Sequence, residues 1–263
     1  MNEKLIIRLS HNQLSFTVVN TANAEQPIVF EPYNVKNGIA MAVNLREAFH
    51  TTPLLADSYQ RIMIVVDSPT LMVPVNLYQE QDKEQLYTHS YPSRQQNIVL
   101  DNVLPDLNCV VLFDINRDLK TVLDDHYPQA QFVCCMAPVW RHLYQRSFMG
   151  IRSKLFGYFH DQRLEIFSFQ QNRFKFCNSF DAQHRADSLY FLLYVWRQLN
   201  LQQEHDELHL VGDIPEKEEL LDELRRYLKR AYIINPTADF NRSPVTQIDG
   251  VTYDLMTLIV KGR

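Results

Sequence analysis

The chain has 263 residues, of which 46% are hydrophobic and 22% charged, with a net charge of −5 at pH 7. This is an ordinary globular balance, with room for one large domain or two small ones. An acidic chain without an apolar stretch of 18 residues has no transmembrane helix and no electrostatic footprint for nucleic acid or an anionic membrane.

The opening MNEKLIIRLSHNQ is polar again by Arg8 and lacks the apolar core and small-residue cleavage site of a signal peptide. In KLIIRLSHNQLSFTVV, residues 4–19, two β-rich runs flank a polar break at His11-Asn12-Gln13, which predicts a hairpin. PIVFEPY (27–33) predicts a third strand. In the following KNGIAMAVNLREAFHTT, residues Ile39, Ala42, Val43, Leu45, Ala48 and Phe49 form a helical stripe. RIMIVVD (61–67) has the length and continuous apolarity of a buried strand. Residues 68–108 hold strand-like TLMVPVNLY, helix-like QEQDKEQLYTH and strand-like NIVLDNV, and read as a small inserted subdomain. CVVLFDI (109–115), a helix over NRDLKTVLDDHY and the strand FVCCM then complete the first half, and the helix PVWRHLYQRSF leads to the second.

The second half repeats that order. KLFGYFHDQRLEIFSF flanks His160-Asp161-Gln162 with two runs, and RFKFCNSF (173–180) is the third strand. Asp181 is the expected N-cap of the helix AQHRADSLYFLLYVWRQLN, with Leu189, Leu192, Leu193, Trp196 and Leu199 as its stripe. ELHLVG (207–212) is a strand, a helix over about 214–229 carries Leu220, Leu221, Leu224 and Leu228 on one face, and AYIIN (231–235) closes the set. The shared order points to an internal duplication. It divides the chain into 1–150, including the insert, and 151–263.

Three antiparallel strands followed by α-β-α-β, twice over, resembles the plan of the actin-like ATPase superfamily. That group includes actin, Hsp70, sugar kinases, FtsA and PilM-type pilus-assembly proteins. More narrowly, the chain is similar to an uncharacterised bacterial family with a reduced form of that fold. The resemblance rests on element order, on the hairpins RLSHNQLSFTVV and YFHDQRLEIFSF, and on LHLVGDIP. It implies an α/β fold of two duplicated ribonuclease H-like lobes, with a small inserted subdomain in the first, and a cleft lined by Arg8, Ser10, His11, His160, Asp161, Gly212 and Asp213.

The resemblance also shows what has changed. The superfamily's first hairpin carries Asp-x-Gly, where this chain has Arg8-Leu9-Ser10. Its second carries a glycine-rich turn, where this chain has His160-Asp161-Gln162. A strand followed by Gly-Gly is half kept as Val211-Gly212-Asp213. There are only 6 glycines in all, with no GxG and no GG, against about 18 at average usage, and phosphate-cradling loops need glycine for close backbone approach. The superfamily's Mg²⁺–ATP chemistry needs carboxylates at the metal, and a two-metal nuclease needs them too. Arg8 supplies neither.

The expected protein is therefore a non-catalytic cytoplasmic scaffold or adaptor that binds a protein partner, without a cofactor or metal. A nucleotide-binding switch or weak ATPase with nonstandard cleft contacts is the alternative, and unrelated cleft chemistry a third reading. The sequence names neither the partner nor the oligomeric state. In GDIPEKEEL, Asp213 and Glu216 form an expected capping box, with Pro215 in the first turn. His11 and His160 read as polar turn residues or as a functional pair. Arg141, Arg146, Arg152 and Lys154 read as a solvated junction or an anion site. Asp124, Asp125 and His126 have metal-ligand types, but neighbours on a helix do not converge. The insert and an exposed aromatic face of helix 181–199 are the candidate partner surfaces. Cys109, Cys134 and Cys135 lie in apolar runs with no zinc spacing, as expected of buried thiols in a reducing compartment.

Overall fold

The computed structural model describes residues 3–20, 26–171 and 173–262. Its elements run β1 (Glu3–Leu9), β2 (Leu14–Asn20), β3 (Ile28–Tyr33), α1 (Met41–Thr51), β4 (Arg61–Val66), β5 (Leu71–Pro74), α2 (Lys83–Ser90), β6 (Ile98–Leu104), β7 (Cys109–Ile115), α3 (Arg117–His126), β8 (Gln131–Cys134) and α4 (Met136–Ser147). They continue with β9 (Lys154–His160), β10 (Arg163–Gln170), β11 (Arg173–Asp181), α5 (Arg185–Gln198), β12 (Glu207–Gly212), α6 (Lys217–Arg225), β13 (Ala231–Ile233), α7 (Pro236–Asp239) and α8 (Tyr253–Lys261).

Contacts divide the chain into two compact units, residues 1–137 with 248–251 and residues 138–247 with 252–263. Each is built on a five-stranded sheet, ordered β3-β2-β1-β4-β8 in the first and β11-β10-β9-β12-β13 in the second. The central strands read as continuous apolar runs because both their faces are covered: all seven residues of β9 are buried. Edge strand β11, RFKFCNSFD, alternates polar with apolar side chains over its first four residues, as a strand with one wet face does.

The duplication holds at the level of single hydrogen bonds. Leu9 opposes Leu14 as Phe159 opposes Leu164. Lys4 pairs with Arg61 as Lys154 pairs with Glu207, and Leu9 with Val66 as Phe159 with Gly212. Beyond the strand, the Asp67 N–H reaches the Leu9 carbonyl at 2.8 Å and the Asp213 N–H reaches that of Phe159 at 2.9 Å. Arg8 thus corresponds to Tyr158, and Ser10 to His160. The two hairpin histidines are one position out of step, although the sequence aligned them. The second turn is tighter, with Asp161 and Gln162 both left-handed at φ 47° and 62°, the form a two-residue hairpin turn requires.

The insert is larger than its sequence boundaries. CVVLFDI, expected in the main sheet, is instead the central strand of a three-stranded sheet ordered β5-β7-β6. Every residue of β7 is buried, and an apolar run of this kind does not say which sheet it completes. Asp114 of β7 organises the subdomain. Its carboxylate accepts from the Tyr87 hydroxyl at 2.9 Å, from Asn97 Nδ2 at 2.5 Å and from Arg94 Nη1 at 3.3 Å. One side chain ties this sheet to the larger one: Asn102 on β6 donates from Nδ2 to the Phe132 carbonyl at 3.0 Å and accepts the Cys134 N–H at 2.7 Å, sealing the outer edge of β8.

Several helix details depart from the sequence reading. Val43 and Ile39 are exposed, whereas Asn44 is buried. Its amide accepts the Lys36 N–H and donates to the Ile39 carbonyl, closing the loop ahead of α1. Asp181 ends β11 instead of capping α5, which starts at Arg185 behind His184. The capping box at Asp213 does not form either, because α6 starts at Lys217 behind a left-handed Glu216. Asn116 does cap α3, accepting the Asp118 and Leu119 N–H groups. Helices α7 and α8 lie beyond the last expected element. The buried face of α8 includes the polar Asp254 and Thr257 beside Tyr253, Leu255 and Leu258, so it shows no clean apolar stripe. Cys109, Cys134 and Cys135 are buried as expected, Cys177 is half-buried, and none of the four forms a disulfide.

Candidate functional site

In the first unit, Arg8 is 2% exposed. It sits in mid-sheet between Ser15 of β2 and Val65 of β4, and its Nη2 donates to Cys135 Sγ at 3.8 Å. Ser10 is buried and closes the hairpin: its Oγ accepts the Gln13 N–H at 3.1 Å, and its own N–H reaches the Gln13 carbonyl at 2.9 Å. His11 is exposed at the tip.

In the second unit, Tyr158 donates its hydroxyl to Asp254 Oδ1 at 2.6 Å. His160 is buried at the end of β9, with Nδ1 3.4 Å from Asp161 Oδ2 and Nε2 3.9 Å from Glu165 Oε1, and its ring is stacked on Tyr158. Gly212 has φ 99°, and a β-carbon there would lie 2.0 Å from the Phe159 carbonyl oxygen. Its glycine follows from that close approach. Asp213 is exposed.

The second unit also holds a groove of about 710 Å³, at the edge of its sheet. Its walls are β13 with the residues after it, α4, Glu207 and His209 of β12, and Lys261 of α8. The base is a polar network on Asp239, which accepts from His142 Nε2 at 2.9 Å, from the Tyr253 hydroxyl at 2.6 Å and from Arg146 Nη1. Burial alone would raise the Asp239 pKa, but the bonds from His142 and Tyr253 and the Arg146 charge outweigh it and hold the carboxyl below its ordinary value of 3.8. Beside it, Glu207 bonds His209 Nε2 at 3.0 Å and Arg152 Nη1 at 3.3 Å. Burial lowers the His209 pKa against the pull of Glu207, which favours the neutral ring.

The sequence groups Arg141, Arg146, Arg152 and Lys154 as one basic cluster, of which Arg141 is exposed on α4. The structure gives the other three separate tasks: Arg146 and Arg152 pair with acids, and the buried Lys154 ammonium donates to the Ser147 and Met149 carbonyls behind α4. The groove itself was missed, because His142, Asp239 and Tyr253 are far apart in sequence and only tertiary structure brings them together. Asp124 pairs with Lys120, and the His126 ring stacks on Phe49 at 3.8 Å. On α5, Tyr190 and Tyr194 are exposed with their rings 5.9 Å apart. No helix among the described residues is long and apolar enough to cross a membrane.

The family described as "Protein of unknown function (DUF3822)" matches residues 1–231. The chain belongs to this family. A protein of Bacteroides thetaiotaomicron, solved as having an actin-like ATPase fold and unknown function, resembles this DUF3822 chain with 31% identity and a TM-score of 0.82, over 94% of this chain and 96% of that one. The PilM–PilN type IV pilus biogenesis complex resembles it with 10% identity and a TM-score of 0.54, over 98% of each chain. No curated protein matches. This DUF3822 chain therefore has the duplicated actin-like ATPase fold, with an inserted subdomain in its first half.

Proposed function

We propose that this protein is a non-catalytic adaptor that keeps the actin-like frame to present surfaces to a protein partner. The observation that carries this reading is Arg8, a buried cation in the strand where the fold's magnesium site calls for a carboxylate. Its counterpart in the second half is Tyr158, whose hydroxyl is engaged by Asp254. The donor set fits Mg²⁺–ATP poorly in other respects. The Ser10 hydroxyl accepts its own turn's N–H group, and the second turn is built from Asp161 and Gln162 instead of glycines. Gly212, the best argument for a nucleoside contact, is accounted for by the Phe159 carbonyl. The PilM–PilN structure adds an instance of this fold in a complex named for two proteins, and the exposed Tyr190 and Tyr194 offer apolar surface of the kind partners cover.

The test is thermal unfolding with and without millimolar Mg²⁺–ATP. A ligand at 100 times its Kd adds about 2.7 kcal/mol of stability. The expected melting temperature is unchanged, and a clear rise would overturn the reading.

A further inference from the structure

The duplicated register turns one half of the molecule into a guide to the other. Ile64 pairs with Phe132 as Leu210 pairs with Ile233, so Phe132 and Cys134 of the first unit correspond to Ile233 and Asn235 of the second. Main-chain groups alternate in direction along a strand. Because the Arg230 carbonyl and the Ile234 N–H bond to β12, those of Ile233 and Asn235 face away from it. In the first unit the outward pair, the Phe132 carbonyl and the Cys134 N–H, is closed by the side-chain amide of Asn102. Among the described residues nothing closes the Ile233 carbonyl or the Asn235 N–H, and both residues line the groove.

We propose that this groove receives an extended peptide segment of a partner protein, carrying an acidic side chain, which adds to the edge of β13. One residue of an extended peptide supplies the same donor and acceptor that Asn102 supplies in the other half: its N–H donates to the Ile233 carbonyl and its own carbonyl accepts the Asn235 N–H. The charge requirement follows from the groove walls. Asp239 is matched by Arg146 and Glu207 by Arg152, while Lys261 makes no ion pair among the described residues and is exposed at the rim. One positive charge is left for the peptide. Tyr232, Ile233 and Met149 give its neighbouring side chains an apolar wall.

This deepens the adaptor reading and rests on it. The probe is a pooled library of end-blocked hexapeptides with one fixed Glu and otherwise varied residues, titrated into the ¹⁵N-labelled full chain. Two further pools have Lys in place of Glu, or N-methylated backbones. The acidic pool is expected to shift the Ile233, Asn235 and Lys261 amides and to slow Asn235 N–H exchange at least tenfold, and the N-methylated pool to do neither. Lys261→Glu should weaken binding of the acidic pool at least fivefold. Ile233→Pro should abolish binding while leaving distant amides in place, since its N–H is outside the β12 ladder. If the acidic pool leaves these amides unmoved, or the N-methylated pool acts equally well, the proposal is overturned. Mg²⁺–ATP titrated into the same sample separates the two failures: nucleotide binding sinks the adaptor reading, whereas a silent edge without nucleotide binding sinks only the peptide site.

Discussion

Gly212 passes the carbonyl of Phe159 so closely that a β-carbon on it would sit 2.0 Å from that oxygen. The corresponding residue of the first unit is Val66, so the close approach belongs to the second half alone. The positive φ of Gly212 adds strain for any other residue. Gly212→Ala is expected to cost about 2–4 kcal/mol, read as a lower urea midpoint. A neutral outcome would return this glycine to the list of ligand-contact candidates.

Asn102 gives a second prediction. Asn102→Leu keeps the approximate volume but leaves the Phe132 carbonyl and the Cys134 N–H unmatched. The expected loss is about 1–3 kcal/mol, with faster hydrogen exchange at the Cys134 amide.

The insert gives a third. Replacing residues 68–108 with a flexible linker removes both neighbours of β7, whose seven residues are all buried. The shortened chain is expected to aggregate, since a stripped apolar strand exposes two edges. Size-exclusion chromatography and circular dichroism decide it; a monomer with the wild-type melting curve would show that β7 stands without the insert. Asp114→Ala, which takes the carboxylate from Asn97 and Arg94 and leaves the Tyr87 hydroxyl only the Pro69 carbonyl, is expected to cost about 1.5–3 kcal/mol.

The fourth is a pH dependence. Asp239 is held below its ordinary pKa of 3.8 in the folded chain, so the unfolded chain binds its proton more readily. Its contribution is fully present above about pH 4 and is lost as the pH falls through the folded value. His209 is also lowered, from 6.5, so stability begins to fall from about pH 6.5 downward as the unfolded chain takes up that proton. Asp239→Asn is expected to flatten the acid limb of a urea-midpoint profile, and His209→Gln the limb just below 6.5. Parallel profiles for variants and wild type would contradict this assignment.

Most of the strands were legible in the sequence because their patterns are local. KLIIRL and KLFGYFH declare two buried central strands, and ELHLVG matches β12 residue for residue. The hairpin tips at His11 and Asp161 follow from the polar breaks, but their alignment slipped by one residue because register is a property of pairing, not of the residue types at a turn. The cap expected at Asp181 failed because that residue ends β11, and the one at Asp213 because its N–H is held by the Phe159 carbonyl and α6 starts only at Lys217. Sheet membership of CVVLFDI could not be read, since apolarity reports burial and not neighbours. Among the site residues, Arg8 was legible as a departure from a pattern. The Asp239 network was not, because no short-range spacing links His142, Asp239 and Tyr253.

The distribution of thiols has a consequence for following the molecule in time. Three of the four cysteines, Cys109, Cys134 and Cys135, are buried within the first compact unit, and the second has only the half-buried Cys177. Burial also pushes the Cys109 thiol up to about 11, away from its reactive thiolate form. A pulse of alkylating reagent, read by peptide mass, would therefore act as a built-in clock for the first unit. Adducts there would accumulate only as fast as that unit opens, and Cys177 would keep separate time for the second.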